Sequence, residues 1–213
     1  KPQATKRKQP GTYLGGARDH EIYSLNLNSS REALQAAFGL PAAVLMLQER
    51  WLAAADLPGI QAAASQAGWH GVWGPCTNTL LRGRSGGTAI LTRKPCLIFR
   101  GRKVHRATTA ILPWTRTAAI HLASIYGAHN LHHDREVENG RMIGELQEHL
   151  AVLGRVPWVL GGDWNMQPAQ LGGGPDRKPK RDALLQALMK EQGLSLRNIE
   201  LGGPGGIMWS ATV

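Results

Sequence analysis

The run Trp158-Val159-Leu160-Gly161-Gly162-Asp163-Trp164-Asn165 ends an apolar stretch abruptly on a carboxylate and an amide. Apolar residues in that density form a buried strand, and the strand starts at Pro157. Two glycines before the acid let another backbone, or a ligand, come close. Side chains alternate along a strand, so Asp163 and Asn165 share one side while Trp164 turns the other way, into the interior. An acid and an amide presented together suit a metal ion and a phosphate. A strand running into an Asx turn would leave the same trace. Partners elsewhere in the chain decide between the two.

Two further strand ends carry groups of the same character. His20 to Asn28 alternates polar and apolar residues and ends in Asn26 and Asn28. Ala42 to Leu47 is uninterrupted and apolar, as a central strand is, and leads into Gln48-Glu49. Hard divalent cations prefer carboxylate, amide and water oxygens. Asn26, Asn28, Glu49, Asp163 and Asn165 together make a chance coincidence of strand ends a poor explanation.

Between these ends the periodicity predicts a helix from Ser29-Ser30-Arg31-Glu32 with Leu34, Ala37 and Phe38 on its apolar side, stopped by Gly39 and Pro41. A second helix follows Pro58 and closes at Gly68. Strands are expected at Trp69–Trp73, Gly87–Thr92, Val104–Leu112 and Ala118–Tyr126. A long helix spans Glu136 to Leu153 with Ile143, Leu146, Leu150 and Leu153 on one face. Asp182 caps a later helix carrying Leu184, Leu185, Leu188 and Met189, and Ile207 to Val213 enters a strand that the chain does not complete. Neither strict βαβ alternation nor an all-β pattern fits, so mixed sheets with helices outside are expected.

The chain has 213 residues, enough for one sizeable core, and a formal charge of +10 from 25 Lys and Arg against 15 Asp and Glu. That balance favours a polyanion, nucleic acid first and an anionic membrane surface second. Cys76 and Cys96 are too few for a disulfide framework or a zinc knuckle, which sets a reducing compartment as the default. Residues 1–19 read as a basic, unstructured tail without the apolar core of a secretory signal, and no run is long enough for a membrane span. The expected location is intracellular, nucleus or cytoplasm.

Leu25-Asn26-Leu27-Asn28, Leu47-Gln48-Glu49, Gly86-Gly87-Thr88-Ala89-Ile90-Leu91, Ser124-Ile125-Tyr126-Gly127 and Gly161-Gly162-Asp163-Trp164-Asn165 occur in an order and rough spacing that resembles the endonuclease/exonuclease/phosphatase (DNase I-like) superfamily. The nearest types are apurinic/apyrimidinic and retrotransposon endonuclease domains. The resemblance implies an α/β (α+β) fold, a four-layer αββα sandwich of two mixed β-sheets packed face to face with helices outside, over residues 20–213. It implies Mg²⁺, with Mn²⁺ as a substitute, and DNA as the partner, with no obligate protein partner. By the same resemblance Glu49 is the main metal ligand, with Asn26 and Asn28 beside the ion. Tyr126 reaches the scissile phosphate, Asp163 positions or deprotonates the attacking water, and Asn165 holds a nonbridging oxygen.

Relatives of this type also carry a late Asp and a Ser-Asp-His element. No Asp follows Asp182 and no His follows His149, so the expectation is a domain lacking its last strands, with hydrolysis in question. Other candidates for phosphate contact are Arg82 and Arg84 beside Gly86-Gly87, His129 and Asn130 just past Tyr126, and the basic loop with Lys178, Lys180 and Arg181. His132 and His133 read as a solvated loop, and Trp51, Trp73 and Trp114 as core or rim residues. A nucleic-acid-binding domain without turnover and a phosphodiesterase for inositol phosphates or sphingolipids are the alternatives.

Overall fold

The computed structural model describes residues 21–49, 52, 54–74, 76–79, 83–95, 104–113, 115, 118–128, 135–153, 157–165, 194–197 and 207–211. Strand β1 (Ile22–Asn26) pairs in parallel with β2 (Val44–Gln48). Between them lies helix α1 (Arg31–Phe38), started by Ser30, whose hydroxyl accepts the Ala33 N–H at 3.0 Å. Helix α2 (Leu57–Gln66) has Pro58 in its first turn and leads through Gly68, at φ 81°, into β3 (His70–Trp73). A small hairpin follows, β4 (Thr77–Thr79) with β5 (Gly83–Ser85), then β6 (Ala89–Thr92). β7 (Ala107–Pro113), β8 (Ala119–Tyr126), helix α3 (Arg135–Leu153), β9 (Trp158–Asp163), β10 (Leu194–Arg197) and β11 (Ile207–Ala211) complete the described strands and α-helices.

Two mixed sheets result, β1-β2-β6-β3 and β10-β11-β9-β8-β7. β1 lies over β9, β2 over β8 and β9, and β6 over β7 and β8, so the sheets are face to face. Alternation along each strand then separates three cores. Val44, Met46 and Ile90 meet Ala110, Leu112 and Leu122 between the sheets. Leu45, Leu47, Ala89 and Leu91 face outward onto α1 and α2, where Leu34, Ala37, Phe38 and Ala64 are buried. Ala123, Ile125, Trp158 and Leu160 face outward onto Met142, Ile143, Leu146 and Leu150 of α3. This is the four-layer αββα sandwich expected from the sequence.

Several boundaries differ from the sequence expectation. The strand expected at Val104–Leu112 begins only at Ala107, because Arg106 turns into the left-handed region at φ 54°. The hairpin of β4 and β5 and strand β10 were not expected; each spans three or four residues, too few for a periodic signal. The strand expected from Ile207 is present as β11, which lies between β9 and β10 and pairs Trp209 with Leu160. The helix expected after Asp182 lies outside the described residues. Among the described residues, no helix is long and apolar enough to cross a membrane.

The paired glycines of β9 serve the fold. A Cβ on Gly161 would overlap the end of the Met46 side chain and come within 3.2 Å of Ser24 Cβ on the opposite sheet. A Cβ on Gly162 would run into the backbone of Ile125 on β8. The close approach is made by the protein itself.

Far from that end, His121 and His149 are each 4% exposed and pack on the Trp158 indole, with ring centroids 4.8 and 5.8 Å away. Burial pushes both imidazoles below their ordinary pKa, and His149 pushes His121 further. The fold therefore holds both neutral, while the unfolded chain takes up protons near the ordinary value of about 6.5. Their contribution to stability is complete above that pH and is lost as pH falls through it toward the lowered folded values. Denaturant midpoints should fall steadily from about pH 7.5 to about 5.5, and His149→Leu should flatten part of that slope. A flat wild-type profile would refute this.

Candidate active site

The seam between the sheets is apolar at its centre and polar at one end. Gln48, only 1% exposed, donates from Nε2 to Ser124 Oγ and to the Met46 carbonyl, both at 2.9 Å. Ser124 Oγ in turn donates to the Leu47 carbonyl at 3.0 Å, and Ser24 Oγ approaches Gln48 Oε1 at 3.4 Å. At the same end the hydroxyls of Thr88 and Thr108 sit 2.6 Å apart. Buried polar groups of this kind stay in place only when bonded, so they fix how the two sheets sit over one another.

Period two carries this register to the site. Ser24 and Asn26 on β1, Leu122, Ser124 and Tyr126 on β8, and Val159, Gly161 and Asp163 on β9 each keep to the inner face of their strand. The last member of each series stands at the mouth of the seam. Asn26 Nδ2 donates to Asp163 Oδ2 at 2.8 Å across the two sheets. Tyr126 donates its hydroxyl to Glu49 Oε1 at 2.6 Å, again across the sheets.

The candidate residues on the chain reversals are held by local bonds. Asn26 Oδ1 accepts the Asn28 N–H at 2.9 Å, and Asp163 Oδ1 accepts the Asn165 N–H at 2.8 Å. Both are Asx turns, and both put the second Asn in the left-handed region, Asn28 at φ 45° and Asn165 at φ 51°. Strand alternation therefore stops at Asp163; Asn165 is placed by its turn and by donating Nδ2 to the Gly127 carbonyl at 2.6 Å. Glu49 reverses at φ 57°, a conformation that costs a glutamate about 1–2 kcal/mol. The Ser29 N–H meets the Glu49 carbonyl at 2.9 Å and stabilises that reversal.

Tyr126 is 2% exposed. Burial raises its hydroxyl well above the ordinary tyrosine pKa, the Glu49 hydrogen bond and charge add to that, Asp163 adds further, and Asn165 pulls weakly the other way. The phenol therefore remains a donor and orients Glu49. Arg106 lies behind it: Nε donates to the Tyr126 carbonyl at 2.9 Å and the guanidinium sits 5.1 Å from the ring centroid. Burial lowers the Arg106 pKa.

Asn26, Glu49, Tyr126, Asp163 and Asn165 thus converge, and Asn28 adjoins them through its backbone N–H on Asn26 Oδ1. Arg84 occupies the middle of β5, opposite Asn78 in the pairing. Arg82, His129, Asn130, Lys178, Lys180 and Arg181 lie outside the described residues. The sequence motifs contain Gln48 and Ser124 without assigning either a role, and Arg106 was missed. The usable signal was a polar residue two positions from Tyr126 on the inner face of a strand, and a Gln inside an otherwise apolar one.

The sequence profile of the Endonuclease/Exonuclease/phosphatase family matches residues 23–211. Among curated proteins none matches. Among solved structures, the chain is similar to the endonuclease domain of TRAS1, a telomere-specific non-LTR retrotransposon, at 15% identity and TM-score 0.60, over 89% of this chain and 83% of that one. It is similar to the AP endonuclease LMAP from Leishmania major at 12% identity and TM-score 0.62, over 90% and 78% of the two chains. TDP2 from C. elegans matches at 15% identity and TM-score 0.51, over 90% and 64%. At these identities the likeness is one of fold.

The Asn26–Asp163 bond has a direct test. Asn26→Asp sets a second carboxylate where an amide now donates, which should cost on the order of 1 kcal/mol at pH 7 in this exposed position. One carboxyl of the pair then has a raised folded pKa, so the loss should disappear as pH falls to about 4. Urea midpoints of the variant and wild type at the two pH values check it; an equal deficit at both would refute the contact.

Proposed function

This chain belongs to the endonuclease/exonuclease/phosphatase family, and on that premise we propose that it is a Mg²⁺-dependent phosphodiester hydrolase of the endonuclease type acting on DNA. The observation that carries the reading is the pair of bonds that cross the seam, Asn26 to Asp163 at 2.8 Å and Tyr126 to Glu49 at 2.6 Å. They bring two carboxylates and an amide from different sheets to one mouth. The charge of +10 supports a polyanionic substrate.

The donor set suits a hard divalent cation: carboxylates at Glu49 and Asp163, and amide oxygens at Asn26 and Asn28. Among the described residues, no three His, Cys, Asp or Glu side chains gather into a cage. Mg²⁺ needs none, since one or two carboxylates with water and substrate phosphate complete its shell. Glu49 would hold it, through the oxygen that Tyr126 leaves open. The cation, when bound, supplies charge neutralisation at the scissile phosphate.

The remaining roles fall to the chain itself. Tyr126, kept protonated by burial, fixes the Glu49 carboxylate in one orientation. Asp163 is held on both oxygens, by Asn26 Nδ2 and by the Asn165 N–H, so its carboxylate stays at one angle to accept a proton from an attacking water. Asn165, tied to Gly127, stands next to it to meet a phosphate oxygen. Lys178, Lys180, Arg181, Arg82, Arg84, His129 and Asn130 are proposed to grip the DNA backbone. The chemistry needs little more than positioning and charge, which is what a pre-bonded site provides.

Nicking of supercoiled plasmid provides the test. Cleavage should require Mg²⁺, stop with chelator, and fall about 100-fold or more in Glu49→Ala and in Asp163→Ala. Cleavage that survives in both variants would overturn the assignment.

A further inference from the structure

Helix α3 packs a stripe of Met142, Ile143, Leu146 and Leu150 on the second sheet, and the next position on that stripe toward the helix start is Asn139. An asparagine is out of place there. It favours helices poorly, and its amide is 2% exposed among apolar neighbours. Its bonds account for it. Oδ1 accepts the Ala128 N–H at 2.7 Å and Nδ2 donates to the Ala128 carbonyl at 3.2 Å, so one side chain grips both polar groups of one residue.

Ala128 is fully buried and closes the segment Tyr126-Gly127-Ala128. That short segment touches every part of the second-sheet side of the site. Tyr126 bonds Glu49. The Gly127 N–H donates to the Asp163 carbonyl at 2.7 Å, and the Gly127 carbonyl accepts Asn165 Nδ2 at 2.6 Å. A Cβ at Gly127 would overlap the Trp164 backbone, so the two chain segments lie in direct contact. We propose that Asn139 is a positioning residue: its amide clamps Ala128 and thereby holds Tyr126, Asp163 and Asn165 in mutual register. In its catalytic consequence this rests on the phosphodiesterase reading; the clamp itself does not.

The physical argument is one of alternatives. An apolar residue at position 139 would pack better in the stripe and leave a buried N–H and C=O without partners. The segment would shift to reach other groups, and it carries the site with it. Displacements near 1 Å at a reacting group cost about 100-fold in rate.

The experiment compares Asn139→Leu, Asn139→Asp and Leu150→Ala. Leu150 is buried in the same helix, about 16 Å along its axis, and serves as a control for general loosening of α3. Hydrogen–deuterium exchange followed by mass spectrometry reads the clamp without activity. Asn139→Leu should raise exchange in peptides covering 126–128 and 163–165, Leu150→Ala should not, and Asn139→Asp, which keeps the acceptor for the Ala128 N–H, should fall between. In Mg²⁺-dependent nicking, Asn139→Leu should lower kcat about 10- to 100-fold with KM changed less than about twofold. Unchanged site exchange in Asn139→Leu, or equal effects of Leu150→Ala on site exchange and kcat, overturns the proposal. If the wild-type chain cleaves nothing, the functional reading fails alone and the exchange pattern still decides the clamp.

Discussion

The amide of Gln48 bonds both sheets at once, and the site depends on that seam. Along the interface the packing runs from Val44, Met46, Ile90 and Leu122 to Gln48, Ser124, Thr88 and Thr108, and ends in Asn26, Glu49, Tyr126 and Asp163. Hydrophobic burial drives the sheets together without fixing their relative position, since apolar contact is non-directional. Hydrogen bonds are directional, and these sit next to the site. Two strands that slid by one residue would exchange their inner and outer faces and scatter all four groups.

The mouth of the seam is also where the backbone departs most from easy geometry. Asn28, Ser29, Glu49, Arg106 and Asn165 all have positive φ. Asn tolerates that region; Glu and Arg do so only when their surroundings hold them. Here the Glu49 carbonyl is tied to Ser29, and Arg106 binds the Tyr126 carbonyl through its side chain and the Tyr126 N–H through its own carbonyl. Chain reversals of this kind are what allow residues that follow a strand to turn back over its end. The site is therefore built from strand ends plus the turns after them, and neither alone would supply it.

Much of this was legible in the sequence where period and composition speak. The stripe Ile143, Leu146, Leu150, Leu153 does face the second sheet, Trp164 does turn inward at 3% exposure, and Ser30 does begin α1. The glycine pair was legible only as a close approach. That the approaching groups are Met46 and Ile125 follows from how the sheets pack. Asn165 was placed by alternation on the same side as Asp163, yet it reaches its place through an Asx turn and the Gly127 carbonyl. The bonds made by Gln48, Ser124, Arg106 and Asn139 were not legible, because a polar residue in an apolar pattern gives no hint of the partner that satisfies it.

The sequence by itself determined which faces are apolar, where the three α-helices begin, and which residue types stand at the strand ends. Those are local properties, set by side-chain period and by turn chemistry within a few residues. Only the tertiary structure decided that Asn26 meets Asp163, 137 positions away, and that Tyr126 meets Glu49, 77 positions away. Such meetings depend on the register and offset of one sheet over the other. Those are fixed by a few buried hydrogen bonds between residues far apart in the chain, and no local pattern encodes them.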